Sequence, residues 1–482
     1  MKKIALSVAA LFIGAVAFAQ FNVSNVNQVG SGNISAVMQT GLSNNSDVDQ
    51  LGNNNDSDVT QTGTTNDSQV LQGPSSNNND SSVIQNGISN DSFVWQDGDD
   101  NISDVDQVGN NNDSFVDQWG DNNNSDVNQA GNDNNSLVLQ GYNGDNHTSV
   151  VDQQGNNNIS TVLQDGDSND SYVEQVGNSN ISDVDQLGID NQSTVWQSTF
   201  TLGTSDNNDS TVLQNGNDNI SFVWQDGDDH TSDVIQSGNN NDAYSDQWGT
   251  NSTSTVTQTG NDNESDVFQG YLGTNHNSTV TQTGDLNKSY VFQNGNANLS
   301  FVTQLGNNND SDVNQNGQFN GSTVLQNGND NTSDVDQDGS ANNSNVGQTG
   351  NFNISDVIQN GNNNGSGVAQ IGNNNDSFVN QQGILNASSV FQSGNLNISD
   401  VDQIGNFNFS DVKQFGNNND SDVNQTGNNN TSGVIQTGNN HWSFVNQQGN
   451  LNVSTVSQTG NNHSSIVNQI GNGNSSVVTQ SN

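Results

Sequence analysis

The sequence predicts an all-β protein, a β-solenoid of the cross-β type in which strand-turn-strand rungs stack along one axis. Three observations predict this fold. One eleven-residue unit recurs 41 times, its inward and outward positions alternate with a period of two, and in 36 of the 41 units a glycine stands two residues after the glutamine. Short alternating segments punctuated by turn residues at a fixed spacing are typical of repetitive β-architectures.

The repeat reads Asn-x-Ser-x-Val-x-Gln-x-Gly-x-x and runs from Gln28 to Gln480 when each unit is anchored on its glutamine. Valine stands two residues before the glutamine in 40 of 41 units, and serine stands four before it in 40 of 41. A disordered acidic polymer has no physical reason to keep such a register. We therefore assign residues 20–482 to one repeat region. Longer steps between glutamines place insertions near residues 73–78, 141–146, 198–207 and 270–275.

The strand part of each unit spaces asparagine, serine, valine and glutamine two residues apart, as in Asn55, Ser57, Val59 and Gln61. In an extended chain this spacing places all four side chains on one face. Gly63 follows two residues later, and glycine permits the positive φ that a tight turn needs. Each unit is thus predicted to be one strand and one turn.

A strand that buries a single valine is unstable alone, but stacked units align like residues about 4.8 Å apart. Stacked amides can then hydrogen-bond along the axis, which compensates their burial. The repeat frame by itself is compatible with two or three units per rung. The predicted ladder residues are Asn55, Ser57, Val59, Gln61, Gly63, Asn66, Ser68, Val70, Gln72, Asn419, Ser421, Val423, Gln425 and Gly427.

Composition excludes several classes of function. The chain has 4 Lys and Arg against 52 Asp and Glu, a formal net charge of −48, so nothing could neutralise nucleic-acid phosphates. Cysteine is absent, which excludes disulfides, thiol catalysis and cysteine-based metal centres. Only 27% of residues are hydrophobic, too few for an ordinary apolar core.

Residues 1–19 have the pattern of a secretory signal peptide. Lys2 and Lys3 precede an apolar run, and Ala17-Phe18-Ala19 forms a small-x-small cleavage site before Gln20. The apolar run is shorter than the ~20 residues of a spanning helix. The sequence thus predicts a secreted, extracellular product without membrane insertion.

The segment from Ser57 to Gln72 closely resembles the curlin repeat, in which serine precedes Gln-x-Gly-x-x-Asn and a second glutamine follows after eleven residues. The resemblance extends over residues 22–480. Curlin subunits build curli, the secreted amyloid fibres of bacterial biofilm matrices. The resemblance implies a rung of two units, self-association into a homopolymer fibre, and the secretion channel, nucleator subunit and chaperones of a curli-type system. This chain is far longer than the usual curlin subunit.

No residue pattern predicts catalysis, a cofactor or a metal site. The five histidines occupy the asparagine position, and the simpler interpretation is that histidine replaces asparagine; they are His147, His230, His276, His441 and His463. Only His441 and His463 lie 22 residues apart, and two ligands without a carboxylate make a weak metal site. Recurrent aspartate pairs such as Asp104 and Asp106 lack a pocket and are better explained by repulsion that opposes premature stacking.

Three interpretations of the outward face stay open. Six tryptophans lie there, and they are either lateral-contact residues or residues without a common role: Trp95, Trp119, Trp196, Trp224, Trp248 and Trp442. Local threonine arrays such as Thr255 and Thr257 leave a monomeric ice- or ligand-binding solenoid as an alternative, and an adhesin stalk is another. The leading hypothesis is a structural fibre subunit whose assembly is slow at neutral pH and faster with acid, salt or calcium.

Overall fold

A computed structural model describes residues 21–198, 205–270 and 273–482 of the chain, so the predicted signal peptide, residues 1–19, lies outside the described residues. Within the described ranges the secondary structure consists of 41 strands. None of these residues belongs to a helix long and apolar enough to cross a membrane. The predicted all-β class is confirmed.

The chain divides into two compact units, Met1–Gln197 and Ser198–Asn482. The strands of the first unit are β1 Val23–Ser31, β2 Ile34–Leu42, β3 Asn45–Asn53, β4 Asp56–Thr64, β5 Asp67–Asn77, β6 Asp80–Ile88, β7 Asp91–Asp97, β8 Ile102–Asn110, β9 Asp113–Trp119, β10 Asn124–Asn132, β11 Asn135–Gln140, β12 Thr148–Asn156, β13 Ile159–Asp167, β14 Asp170–Asn178, β15 Ile181–Ile189 and β16 Gln192–Gln197.

The strands of the second unit follow the same order along the chain. They are β17 Asp209–Asn215, β18 Ile220–Asp228, β19 Thr231–Ser237, β20 Asp242–Thr250, β21 Thr253–Thr259, β22 Glu264–Gln269, β23 Asn277–Thr283, β24 Lys288–Asn296, β25 Leu299–Leu305, β26 Asp310–Gln318, β27 Gly321–Asn327, β28 Thr332–Ser340, β29 Asn343–Thr349, β30 Ile354–Asn362, β31 Gly365–Ile371, β32 Asp376–Ile384, β33 Ala387–Ser393, β34 Ile398–Asn406, β35 Phe409–Phe415, β36 Asp420–Thr426, β37 Thr431–Asn439, β38 Trp442–Gln448, β39 Val453–Asn461, β40 Ser464–Ile470 and β41 Ser475–Ser481.

Within each unit a strand pairs in parallel with the strand two positions along the chain. In the first unit β2 lies on β4 with Gln39 opposite Gln61, and in the second β34 lies on β36 with Gln403 opposite Gln425. One rung therefore contains two repeats, and each unit has one sheet of odd-numbered strands and one of even-numbered strands. This confirms the two-unit rung and excludes the three-unit alternative.

The core of each unit is the narrow space between its two sheets. Along β4 the residues Ser57, Val59 and Gln61 are buried while Asp58 is exposed, which is the predicted alternation. The serine column of one sheet faces the valine column of the other. In β20 an alanine, Ala243, stands at the serine position and Ser245 stands at the valine position. The hydroxyl of Ser245 lies 3.1 Å from that of Ser232 across the core.

Each ordinary turn contains two residues with positive φ. Gly63 has φ 122°, and a Cβ there would lie 1.9 Å from the carbonyl oxygen of Gly87 on the next rung, so close stacking requires glycine. Thr65, two residues on, has φ 57° and donates its backbone N–H to the oxygen of Leu42 on the previous rung at 2.9 Å. Rung-to-rung hydrogen bonds thus hold the turn in shape.

Between β11 and β12 the structure accommodates extra residues and keeps the strand register, whereas the register of β3 with β5 shifts between Gln50 and Gly52. Thr148 pairs with Asn124 at a separation of 24 residues, although the ordinary separation is 22, and Gln153 still lies opposite Gln129. Of the residues assigned to the other insertions, 199–204 and 271–272 lie outside the described ranges. The assignment of these segments as insertions stays a prediction.

Candidate functional site

The glutamine column is the first of two amide ladders inside the solenoid. Gln61 donates one Nε2 hydrogen to Oε1 of Gln85 on the next rung at 2.8 Å and the other to the backbone oxygen of Asn45 at 2.6 Å. It accepts from Gln39 at 2.8 Å. Since Asn45 belongs to the opposite sheet, this side chain links neighbouring rungs and also the two sheets.

The second unit repeats this arrangement. Gln425 donates to Gln447 at 2.9 Å and to the backbone oxygen of Phe409 at 2.9 Å, and it accepts from Gln403 at 2.9 Å. Gln72, the remaining predicted glutamine, donates to Gln96 at 2.9 Å. In both units the amide nitrogen points to the rung with the higher residue numbers, so each ladder has a direction.

The asparagine column is the second ladder, and it lies where each turn enters the next strand. Asn55 donates its backbone N–H to Oδ1 of Asn33 one rung earlier at 3.0 Å. The asparagine carbonyl therefore caps a turn of the neighbouring rung. The other predicted asparagines make the same bond, Asn66 to Asn44 at 3.1 Å and Asn419 to Asn397 at 3.1 Å.

The valine and serine columns contribute packing. The predicted valines are buried, with at most 1% of the side chain exposed: Val59, Val70 and Val423. The predicted serines are equally buried, but their hydroxyl oxygens have no hydrogen-bond partner among the described residues: Ser57, Ser68 and Ser421. Serine therefore stacks as expected without forming a hydroxyl ladder, and its small volume fits opposite valine.

Three histidines accept a backbone N–H from the next rung as asparagine does, namely His147, His230 and His441, whereas neither ring nitrogen of the buried His276 has a partner among the described residues. Nδ1 of His147 accepts the backbone N–H of Asn169 at 3.3 Å, and Nδ1 of His230 accepts that of Ser252 at 3.2 Å. Burial lowers the pKa of His230 to about 4, so the ring is neutral and can accept. The rings of His441 and His463 stack with centroids 5.2 Å apart. The described residues contain no cluster of three or more side chains suited to a metal ion.

Carboxylates form columns on the outward face. Asp334 lies between Asp312 and Asp356 on adjacent strands. Burial, followed by the charge of Asp336 and then of Asp312, raises the pKa of Asp334 to about 7. Burial also raises the pKa of Asp117 to about 6, against a hydrogen bond from Trp119. Stacking the rungs thus makes it costly to keep these groups ionised.

Aromatic columns on the outward face were not predicted, because the role of the tryptophans stayed open. Phe93 and Phe115 stack with ring centroids 4.9 Å apart and planes 12° apart. Phe222 and Tyr244 stack at 5.0 Å and 4°. Both pairs have the 22-residue separation of adjacent rungs, and this spacing is the signal by which the sequence alone could have revealed them.

The fold and its amide ladders define a structural repeat protein. The family model described as the curlin associated repeat matches residues 98–131, 155–188, 206–238, 233–260, 249–284, 273–306, 290–317, 306–339, 416–449 and 444–471. These matches cover more than half of the chain, and the chain belongs to the curlin associated repeat family. No curated protein matches the chain. Curlin repeats on a β-solenoid fit a curli-like structural subunit, and the predicted resemblance is confirmed.

Proposed function

We propose that this chain is a secreted structural subunit of a curli-like extracellular fibre and that it polymerises by stacking rung on rung. The direction of the glutamine ladder carries the proposal. Gln28 donates to Gln50 at 2.6 Å and has an open acceptor. Gln480 accepts from Gln458 at 2.8 Å and donates one Nε2 hydrogen to the backbone oxygen of Ser464 at 2.9 Å, so its second hydrogen has no partner among the described residues. The two outer edges are therefore complementary, and a second copy can continue the ladder.

The outermost described rungs also leave apolar surface that another rung would cover. Val26 on β1 is 44% exposed, whereas Val48, one rung along the same column, is fully buried. Burying a valine contributes about 1.5 kcal/mol or more. Among the described residues no strand pairs with the outer edge of β1, so that edge is a template for strand addition.

Charge is distributed in a way that favours joining at these edges. Residues 21–46 and 423–482 contain no Asp, Glu, Lys or Arg, while all 52 acidic residues lie between Asp47 and Asp422. Stacking one neutral edge on the other brings no carboxylates together. The acidic columns between them repel like surfaces and disfavour other modes of association.

The extracellular location rests on the signal-peptide pattern of residues 1–19 and on family membership. A curli-type secretion channel, a nucleator subunit and chaperones are the partners that this family membership suggests. We place the fibre at the cell surface in the biofilm matrix.

Assembly of residues 20–482 tests the proposal. The chain is purified in denaturant, diluted into buffer, and followed by thioflavin fluorescence, electron microscopy and fibre diffraction. We expect filaments with a meridional spacing of ~4.8 Å. A β-rich monomer that stays soluble for weeks would contradict it.

Seeded growth with an edge variant sharpens the test. Val26→Asp places a carboxylate on the inward face of β1, and we expect elongation from seeds to slow at least tenfold because an unpaired charge would be buried. Asn27→Asp adds the same charge to the outward face of the same strand and should change the rate little. Equal rates for the two variants would exclude the β1 edge as a growth surface.

A further inference from the structure

An apolar cleft opens on the odd-numbered sheet of the first unit beside the turn after β11, where two glutamines of the ladder, Gln140 and Gln164, also line it. Its volume is about 150 Å³. Tryptophan, tyrosine and two leucines supply most of its wall, and one carboxylate reaches it. The lining residues are Asp117, Trp119, Leu139, Gln140, Tyr142, Leu163 and Gln164.

The cleft exists because the turn after β11 is longer than the ordinary turn. Leu139 and Leu163 pair on adjacent strands. Tyr142, in the lengthened turn, is 75% exposed, and its ring centroid lies 6.2 Å from that of Trp119 with the planes 55° apart. Two tilted aromatic rings therefore form one wall of an open space beside two leucines.

Asp117 is the polar group of the cleft. It lies between Trp95 and Leu139 on the adjacent strands, so apolar side chains flank it along the column. Its Oδ1 is buried and has no hydrogen-bond partner among the described residues. Burial raises the pKa of this carboxyl to about 6. A buried carboxylate oxygen without a partner is stabilised by a ligand that brings a positive charge.

The residues that the structure describes supply no cation to this site. Lys288 pairs with Glu264 at 2.7 Å, and Lys413 pairs with Asp411, so both described lysines are engaged elsewhere. Asp97 adds negative charge near Asp117. Anionic ligands are repelled here, and a neutral ring would leave the carboxylate uncompensated.

We propose that this cleft binds a compact organic cation of the quaternary ammonium class. The faces of Trp119 and Tyr142 attract the cation through their π-electrons, and Asp117 compensates its charge. Leu139 and Leu163 contact its methyl groups. The site is independent of fibre growth, because it lies on the outward face of β9, β11 and β13.

A second copy of the same residues occurs 129 positions along the chain, in the second unit. Asp246 has a buried Oδ1 without a partner among the described residues, and burial raises its pKa to about 6. Tyr271, which corresponds to Tyr142, lies outside the described residues. The matching residues are Trp95 and Trp224, Asp117 and Asp246, Trp119 and Trp248, Gly141 and Gly270, and Tyr142 and Tyr271.

Titration with tetramethylammonium chloride, observed by NMR of its methyl protons, tests the proposal. The full chain carries Asp246→Asn so that the first cleft is measured alone. We expect saturable binding, about tenfold weaker after Asp117→Asn and about threefold weaker after Tyr142→Ala. Tyr142 is an exposed turn residue, so its variant keeps the test valid if Asp117→Asn disturbs folding, which circular dichroism checks.

Asp185→Asn is the matched control, since Asp185 lies in the same column of the same sheet beyond Leu163. It should leave the affinity unchanged. An equal loss in the Asp185 and Asp117 variants would overturn the proposal in favour of diffuse attraction by the acidic surface. Tert-butanol is a neutral molecule of the same shape, and its binding with equal affinity would also overturn the proposal. Binding of methyl glucoside in place of tetramethylammonium would overturn it as well.

Discussion

The two units of the chain build the same turn from different residues. Among the described residues of the first unit, every non-glycine residue with positive φ is serine, threonine, asparagine or aspartate. Among those of the second unit, nine such positions hold apolar residues: Leu286, Ala297, Phe319, Ala341, Phe352, Leu385, Leu396, Phe407 and Leu451. Asparagine and aspartate tolerate the left-handed region, whereas bulky apolar residues are strained there by about 1–2 kcal/mol.

The turn nevertheless keeps its shape in both units. Asn111 has φ 56° and Phe407 has φ 58°, and each donates its backbone N–H to the previous rung at 2.9 Å. The comparison teaches that rung stacking determines the turn and that residue choice only adjusts its cost. Four predictions test this conclusion, from the largest expected effect to the smallest.

Replacing a turn glycine should be equally damaging in both units. A Cβ at Gly63 would lie 1.9 Å from the Gly87 oxygen, and at Gly361 it would lie 2.0 Å from the Gly383 oxygen. We expect Gly63→Ala and Gly361→Ala each to destabilise their rungs by about 3–5 kcal/mol, measured by hydrogen exchange. Gly433→Ala is the control, since a Cβ there has open space. A loss in one unit only would refute a common backbone constraint.

Interrupting the glutamine ladder should cause the second-largest loss of stability. Gln129 donates to Gln153 at 2.9 Å, and Gln337 donates to Gln359 at 2.8 Å. We expect Gln129→Leu and Gln337→Leu to cost about 2–4 kcal/mol in urea unfolding, because neighbouring amides lose partners inside the core. Asn128→Leu, a change on the outward face, should cost less than half of this. Similar losses at inward and outward positions would show that the ladder is not the stabilising element.

The acidic columns should make stability fall as pH rises. In the folded chain the pKa of Asp334 is raised to about 7 and that of Asp117 to about 6, whereas the ordinary value is 3.8. The folded state therefore binds these protons more tightly, and the stabilisation is complete below pH 4 and lost as pH rises to about 7. Asp334→Asn should raise the free energy of unfolding at pH 8 by about 1–2 kcal/mol, a figure reduced for solvent screening of the carboxylate.

Urea unfolding between pH 4 and pH 8 measures this dependence. Asp229→Asn, which removes a carboxylate from an exposed turn of the same unit outside the Asp334 column, is the control. A profile that rises with pH, or one that both substitutions change equally, would contradict the assignment of the effect to the Asp334 column.

Exchanging the turn residues between units should give the smallest effect. Phe407→Asn is expected to stabilise the chain by about 1 kcal/mol, and Asn111→Phe to destabilise it by about the same amount, in urea unfolding. Phe409→Asn separates strain from exposure, because Phe409 is 45% exposed in an extended strand without positive φ. If Phe409→Asn stabilises as much as Phe407→Asn, loss of exposed apolar surface and not relief of strain is responsible.

The sequence predicted the all-β class correctly because the strand pattern depends on neighbours along the chain. The positions of Ser57, Val59 and Gln61 on one face follow from the two-residue period of a strand. The aromatic columns and the cleft beside Trp119 escaped prediction because their members are neighbours only across rungs, 22 or 24 residues apart.

The sequence by itself determined the all-β class, the succession of one strand and one turn per repeat, and the division into inward and outward residues. Only the tertiary structure decided that two repeats form a rung, because an eleven-residue frame fits two or three sides equally well. That choice depends on how the inner faces meet, with serine opposite valine across the core. It also fixes the vertical neighbours of every outward residue, including the apolar flanks of Asp117. The direction of the glutamine ladder and the position of the cleft both follow from the contacts between adjacent rungs.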